Sequence, residues 1–269
     1  MNLKKLVLPA ATAVAAAFFL LAPEKPTAQK MAPFYGRSFA HRGLHTADGT
    51  VPENSLPAFA AAAAKDYGVE LDVHLSSDEQ VVVFHDDTLL RMCGDKRNIE
   101  DVPYSELKEM RLGHTDCTIP LFSEALAVLK GVPIILELKR GRRNDLLCEK
   151  TLALIDTYPG PICVESFDPG IVHWFKKNAP DLLRGQLSCE ADKMDGISKP
   201  AAFLLSHLLT NCVARPNFIA YGIGKKPASV RLCEVMGVMR VAWTAAAPGE
   251  EAKNDAVIFQ YYLPKVKFK

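Results

Sequence analysis

The stretch Val69-Glu70-Leu71-Asp72-Val73-His74-Leu75-Ser76-Ser77-Asp78-Glu79-Gln80-Val81-Val82-Val83-Phe84-His85-Asp86 decides how this chain is read. Val69 to Leu75 alternates apolar and polar residues with the period of a strand, so Glu70 and Asp72 project to one face together. Residues 76–80 are turn-like and lead into Val81 to Phe84 with no room for a helix, which makes the connection an antiparallel hairpin. With the turn centred on Ser77 to Glu79, His85 returns close to Asp72. One short stretch thus brings two acids and a histidine to a single strand end.

Outward from this hairpin, short runs rich in β-branched residues alternate with longer helical patterns. The expected strands are 38–41, 69–75, 134–138, 162–167, 183–187, 218–222, 241–244 and 256–260. The expected helices are 55–66, 122–129, 145–157, 169–178, 199–211 and 228–236, with Gly or Pro near many ends. Strict alternation implies a parallel sheet, and eight such units over this length predict an α/β fold, a (β/α)₈ TIM barrel. The hairpin and a small insertion at about 86–120, a polar stretch that reads as an excursion over one face of the barrel, follow its second strand. The barrel is assigned to 34–269, and residues 1–33 to an N-terminal signal anchor and linker.

That assignment rests on Lys4 and Lys5, followed by the uncharged run Leu6 to Ala22. Its 17 residues reach the lower limit for a bilayer span. The lysines keep the front end cytoplasmic, so the remainder is expected outside the cytoplasm, held at the cell membrane. Leu20 and Pro23 around Ala22 fit a signal peptidase site poorly, which favours an uncleaved anchor over secretion. The seven cysteines contain no Cys-x-x-Cys pair and read as packing residues. The 32 Lys and Arg against 31 Asp and Glu leave a net charge of +1, which gives no reason to bind nucleic acid, and 49% hydrophobic residues exclude disorder.

Three constellations of ionisable groups fall at strand ends: His41-Arg42-Gly43 with Pro52-Glu53-Asn54-Ser55, Glu70-Leu71-Asp72 with His85-Asp86, and Glu137-Leu138-Lys139. Barrel active sites form at the C-terminal ends of the strands, where consecutive strands are neighbours, so Glu137 comes within reach of Glu70 and Asp72. Three carboxylates together call for a hard divalent cation. An all-oxygen set favours Mg²⁺ or Ca²⁺ over zinc.

Taken in order, His-Arg-Gly, Pro-Glu-Asn-Ser, Glu-Leu-Asp-Val, Val-Val-Phe-His-Asp, Ile-Pro-Leu-Phe-Ser-Glu-Ala-Leu, Glu-Leu-Lys, Glu-Ser-Phe-Asp and Ala-Trp-Thr resemble the glycerophosphodiester phosphodiesterase family. The resemblance runs from about Ser38 to about Thr244. It implies that His41 and His85 act as general acid and base, that Glu70, Asp72 and Glu137 hold a divalent cation, and that Arg42 and Lys139 contact the phosphate. Glu53 and Asn54 match a supporting motif. Ser166, Phe167 and Trp243, at later strand ends, are expected to border the alcohol of the substrate. Ala245-Ala246 and the segment Phe259-Gln260-Tyr261-Tyr262-Leu263-Pro264 depart from the family pattern where the last loops meet the substrate.

The expected reaction is metal-dependent hydrolysis of a glycerophosphodiester to an alcohol and glycerol 3-phosphate. Two further readings remain open: a lysophospholipase D-like activity on lysolipids, and a noncatalytic barrel that binds a phosphorylated surface polymer.

Overall fold

The computed structural model describes residues 15, 16, 18–194 and 196–269. Eight parallel strands close into a barrel: β1 (Arg37–Ala40), β2 (Gly68–Leu75), β4 (Ile134–Leu138), β5 (Ile162–Ser166), β6 (Arg184–Ser188), β7 (Phe218–Gly222), β8 (Met239–Ala245) and β9 (Ala256–Phe259). β9 pairs with β1 and β1 with β2, so the ring of eight parallel strands closes on itself. β3 (Val81–Val83) runs antiparallel to β2 with Val83 opposite Val73, and Phe84 donates its N–H to Asp72 O. The hairpin read from residues 69–86 is therefore present, and it delivers His85 one residue beyond Phe84.

Side-chain alternation sorts the strands into two surfaces. Leu71 and Val73 of β2, Leu136 and Leu138 of β4, and Val257 and Phe259 of β9 share one apolar cluster with Phe59, Phe122, Leu126, Leu147 and Phe175, which stand on helices 56–63, 122–129, 144–155 and 169–178. Residues of the opposite parity, Phe39, Ile135, Cys163, Phe218, Val241 and Ile258, form a second cluster inside the barrel. Those inward residues lie low on their strands. One pleat higher on the same faces stand His41, Glu137, Glu165, Trp243 and Gln260. The barrel is thus apolar below and ionisable above.

Two departures from the sequence reading have clear causes. The helix expected over 199–211 ends at Ser206, and a second, short one spans Asn211–Ala214. Between them Leu208 adopts a positive φ of 56°, which turns its fully buried side chain into a cluster with Leu21, Ile219, Tyr221 and Val230. The insertion 86–120 is also more than an excursion. Leu89, Ile99, Val102, Leu107, Leu112 and Ile119 pack with Val82 and Phe84 into a small core of their own.

Residues 1–14 and 17 of the expected anchor lie outside the described residues. Among the described residues no helix is long and apolar enough to cross a membrane. The end of the apolar run packs against the base of the barrel, where Leu21 is 3% exposed. Arg215 donates to the carbonyls of Phe19 and Ala22 at 2.7 and 2.8 Å, and Glu24 reaches the fully buried Arg184 at 2.6 Å.

Candidate active site

Local sequence explains how the first constellation is built. After β1, Arg42 and Asn54 both take φ of 53°, and Gly43 follows at φ 80°. A Cβ on Gly43 would lie 2.8 Å from Ala58 Cβ and 2.9 Å from its carbonyl carbon, so only glycine lets the His-Arg-Gly turn press against the following helix. Ser55 caps that helix by accepting from the N–H of Ala58. Asn54, just before the cap, donates to Asp72 Oδ2 at 2.8 Å. The Arg42 backbone N–H donates to Glu70 Oε2 at 2.9 Å. The turn therefore grips both acids of β2.

The three carboxylates meet as the alternation requires. Asp72 is the register partner of Glu137, and one oxygen from each of Glu70, Asp72 and Glu137 lies within 4.8 Å of the others. All three are buried. Burial and the neighbouring Asp72, Glu137 and Glu165 push the Glu70 carboxyl well above the usual range. Asp72 lies well below it despite its burial, because His85, Lys139 and Arg42 surround it. Lys139 Nζ sits 2.8 Å from Glu137 and 3.5 Å from Asp72, and those two charges raise its pKa against burial. Asp72 Oδ1 is buried and has no hydrogen-bond partner among the described residues. An all-oxygen set of this size with an orphaned carboxylate oxygen fits a hard divalent cation held by Glu70, Asp72 and Glu137.

The two histidines approach the acids from different elements and have different partners. His41 Nδ1 lies 2.7 Å from the Gln260 side-chain oxygen. That oxygen can only accept, so Nδ1 carries the proton and Nε2 faces Glu70 Oε2 at 3.9 Å. Burial and the Arg42 charge push His41 down to about 3. His85 Nδ1 lies 2.6 Å from Asp86 Oδ1. The neighbouring His74 ring contacts the His85 carbonyl at 3.2 Å, and its own pKa falls to about 4 through burial and the Lys139 charge.

Arg42 bonds Glu53 at 2.6 Å and leaves its Nε buried without a hydrogen bond, 3.7 Å from Asp72. Although burial opposes it, Arg91 and Arg42 hold Glu53 down at about 2. Beside these groups opens a cavity of about 730 Å³ lined by His85, Glu137, Lys139, Arg140, Arg142 and Phe167, among others.

The structure thus brings His41, Arg42, Glu70, Asp72, His85, Glu137 and Lys139 together, with Glu53 and Asn54 one contact behind. Trp243 is placed differently. Its indole N–H faces the carbonyls of Ser188 and Ala220 at 3.2 Å, and its ring packs edge-on against Phe167, 5.5 Å between centroids. Ser166 and Phe167 line the cavity, and Trp243 stands behind Phe167. Sequence reasoning missed Gln260. It stands in the segment set apart as a substrate-loop departure, yet it touches a histidine of the site. It also missed Glu165, buried beside Glu137 with its Oε2 unpartnered among the described residues. The Glu-Ser-Phe-Asp motif that opens with Glu165 at the end of β5 was its available signal.

Known proteins resemble this chain in sequence and in fold. A model described as the glycerophosphoryl diester phosphodiesterase family matches residues 41–252. A glycerophosphodiester phosphodiesterase of Bacillus altitudinis is 32% identical over 62% of this chain and 70% of its own length. A lysophospholipase D of Rattus norvegicus is 32% identical over 48% of this chain, and the aligned stretch is only 44% of that relative. An Oleispira antarctica phosphodiesterase, solved with the product sn-glycerol-3-phosphate, superposes with a TM-score of 0.67 at 24% identity, over 84% of this chain and 93% of that one.

Proposed function

The chain belongs to the glycerophosphoryl diester phosphodiesterase family, and from that premise we propose that it hydrolyses glycerophosphodiesters to an alcohol and glycerol 3-phosphate with a bound Mg²⁺ or Ca²⁺. The observation that carries this reading is the convergence of two histidines, three carboxylates and two cations on one barrel mouth. Glu70, Asp72 and Glu137 hold the cation, which when bound supplies positive charge to the phosphoryl oxygens.

Arg42 and Lys139 bind the phosphate. Arg42 offers the unpartnered Nε of a planar fork, and Lys139 a point charge poised between Asp72 and Glu137. Cleavage also needs one group to take a proton from the attacking oxygen and one to give a proton to the leaving alkoxide. A carboxylate backs His85, which suits the group that gives up a proton. A neutral amide backs His41 and leaves its Nε2 lone pair free, which suits the group that receives one. Glu53 and Asn54 position Arg42 and Asp72 rather than react.

The charged lining of the cavity, with Arg140, Arg142 and Asp87 beside the apolar Phe167 and Ile197, favours a polar alcohol over an acyl chain. The rat relative's name motivates the second reading, action on lysolipids. Purified protein assayed on glycerophosphocholine and on lysophosphatidylcholine, each with and without EDTA, tests both readings. Release of glycerol 3-phosphate from the first, abolished by EDTA and restored by one divalent ion, is expected. Equal turnover with and without EDTA contradicts the metal, and preference for the lysolipid contradicts the substrate.

We further propose an extracytoplasmic barrel held at the cell membrane, on the strength of Lys4, Lys5 and the part of the apolar run ahead of Phe18, since the end of the run packs on the barrel. Protease digestion of the barrel in intact cells checks this. Protection there, with digestion only after lysis, contradicts it.

A further inference from the structure

Arg91 stands on the short helix Leu90–Cys93 of the insertion, and neither the sequence reading nor the reaction above uses it. Its guanidinium binds two carboxylates at once. Nε and Nη2 reach Asp86 Oδ2 and Oδ1 at 2.6 and 3.0 Å, and Nη2 and Nη1 reach Glu53 Oε1 and Oε2 at 2.6 and 3.1 Å. Each carboxylate then serves a different part of the site. Asp86 Oδ1 holds His85 Nδ1 at 2.6 Å, and Glu53 Oε1 holds Arg42 Nη1 at 2.6 Å. One side chain therefore closes a chain of contacts that runs from His85 through Asp86, Arg91 and Glu53 to Arg42.

We infer that Arg91 is a positioning residue for the proposed hydrolysis: its double fork fixes the proton-transferring His85 and the phosphate-binding Arg42 relative to each other. The inference rests on the reading of the site as a phosphodiesterase. Two physical points support it.

A planar guanidinium engages two carboxylates side by side, whereas an ammonium has no such geometry. Arg91 is also half exposed, and ion pairs at that exposure add little to stability. Nor is it needed to fasten the insertion, which has its own apolar core and further pairs from Arg142 to Glu100 and Asp101. What the contacts do supply is orientation, and small displacements of reacting groups are costly in rate.

The test compares Arg91→Ala and Arg91→Lys with wild type on glycerophosphocholine in saturating divalent ion. Arg91→Ala is expected to lower kcat by about 10–100-fold, as loss of a supporting contact typically does, with the melting temperature nearly unchanged. Added guanidinium ion should restore part of that rate and methylammonium should not, and Arg91→Lys should recover little. An Arg91→Ala rate within about twofold of wild type, equal rescue by both cations, or full activity of Arg91→Lys overturns the inference.

Should wild type turn over no diester, the phosphodiesterase reading fails separately, and nitrogen-15 NMR of the imidazoles still decides about Arg91. Loss of the hydrogen-bonded His85 Nδ1–H signal in Arg91→Ala supports the positioning role, and an unchanged signal overturns it.

Discussion

At the base of the barrel, Asp255 accepts from the backbone N–H and Nε of Arg240, and its other oxygen accepts from Arg240 Nη2 and Lys269 Nζ, all within 3.0 Å. At the mouth, Asp72 Oδ1 and Glu165 Oε2 are just as buried and have no hydrogen-bond partner among the described residues. Both ends are charged and both keep atoms unmet among the described residues, Arg184 Nε and Nη1 at the base, but there the acids and cations pair with one another within the protein. These contacts tie the C-terminal Lys269 to the end of β8 and, through Arg184 and Arg215, residues 19–24 to β6 and β7. At the mouth, four buried acids face two cations and leave polar atoms unmet, an arrangement that costs stability unless a ligand completes it. The contrast is one of charge balance: of the two ends, it is the mouth that carries an excess of buried acid that a cation could meet.

That contrast can be broken by experiment. The largest effect is expected at the mouth. His41→Ala and His85→Ala should each lose about 10²–10⁴-fold in kcat while the melting temperature holds. A loss below about tenfold at both positions removes them from the chemistry. Next comes the base, where Leu21→Ala should cost roughly 2–5 kcal/mol in denaturant unfolding, since Leu21 is almost fully buried among Leu208, Tyr221 and Val230. Its kcat should stay near wild type, and a parallel fall in rate would mean that the two ends are coupled.

A smaller change in stability, of opposite sign, is expected for Glu70→Gln. Removing one acid from the cluster should abolish turnover yet raise the stability of the metal-free protein by about 1 kcal/mol, roughly 2–4 °C. A clear drop in melting temperature would show that the acids stabilise the fold.

The smallest concerns pH. Burial opposes ionisation of Asp255, but hydrogen bonds from Arg240 and Lys269 bring it to about 2, below its ordinary 3.8. A carboxyl depressed in the folded state contributes stability that is complete above the ordinary value and is lost as pH falls toward the depressed one. The gap in melting temperature between wild type and Asp255→Asn should therefore be constant from pH 7 to 5 and shrink between about pH 4 and 2. A gap that widens on acidification contradicts the pairing.

Much of the mouth was legible in residue order. The period of two placed Glu70 with Asp72 and Glu137 with Lys139, and the short turn at 76–80 returned His85 to Asp72. Each is a local relation, settled within one strand or one hairpin. Gln260 was visible only as an oddity of the last segment, because its contact with His41 spans 219 residues and exists only once β9 has closed on β1. Arg91 was invisible for a similar reason: a fork between Asp86 and Glu53 depends on how the insertion folds back over the mouth, and no periodicity encodes that. The break at Leu208 was missed because helix propensity cannot foresee the pocket, shared with Leu21, that its side chain fills.

The amino-acid sequence by itself determined the eight strands, the parity of their side chains and the identity of the acids, bases and cations at their ends, since spacing along a strand decides which face a residue takes. Tertiary structure alone decided which partner each of those groups has. Closing the barrel brings distant segments within hydrogen-bond reach, and a partner such as Gln260, Asp86 or Arg91 sets how a site residue is oriented and which of its atoms is left free for a ligand.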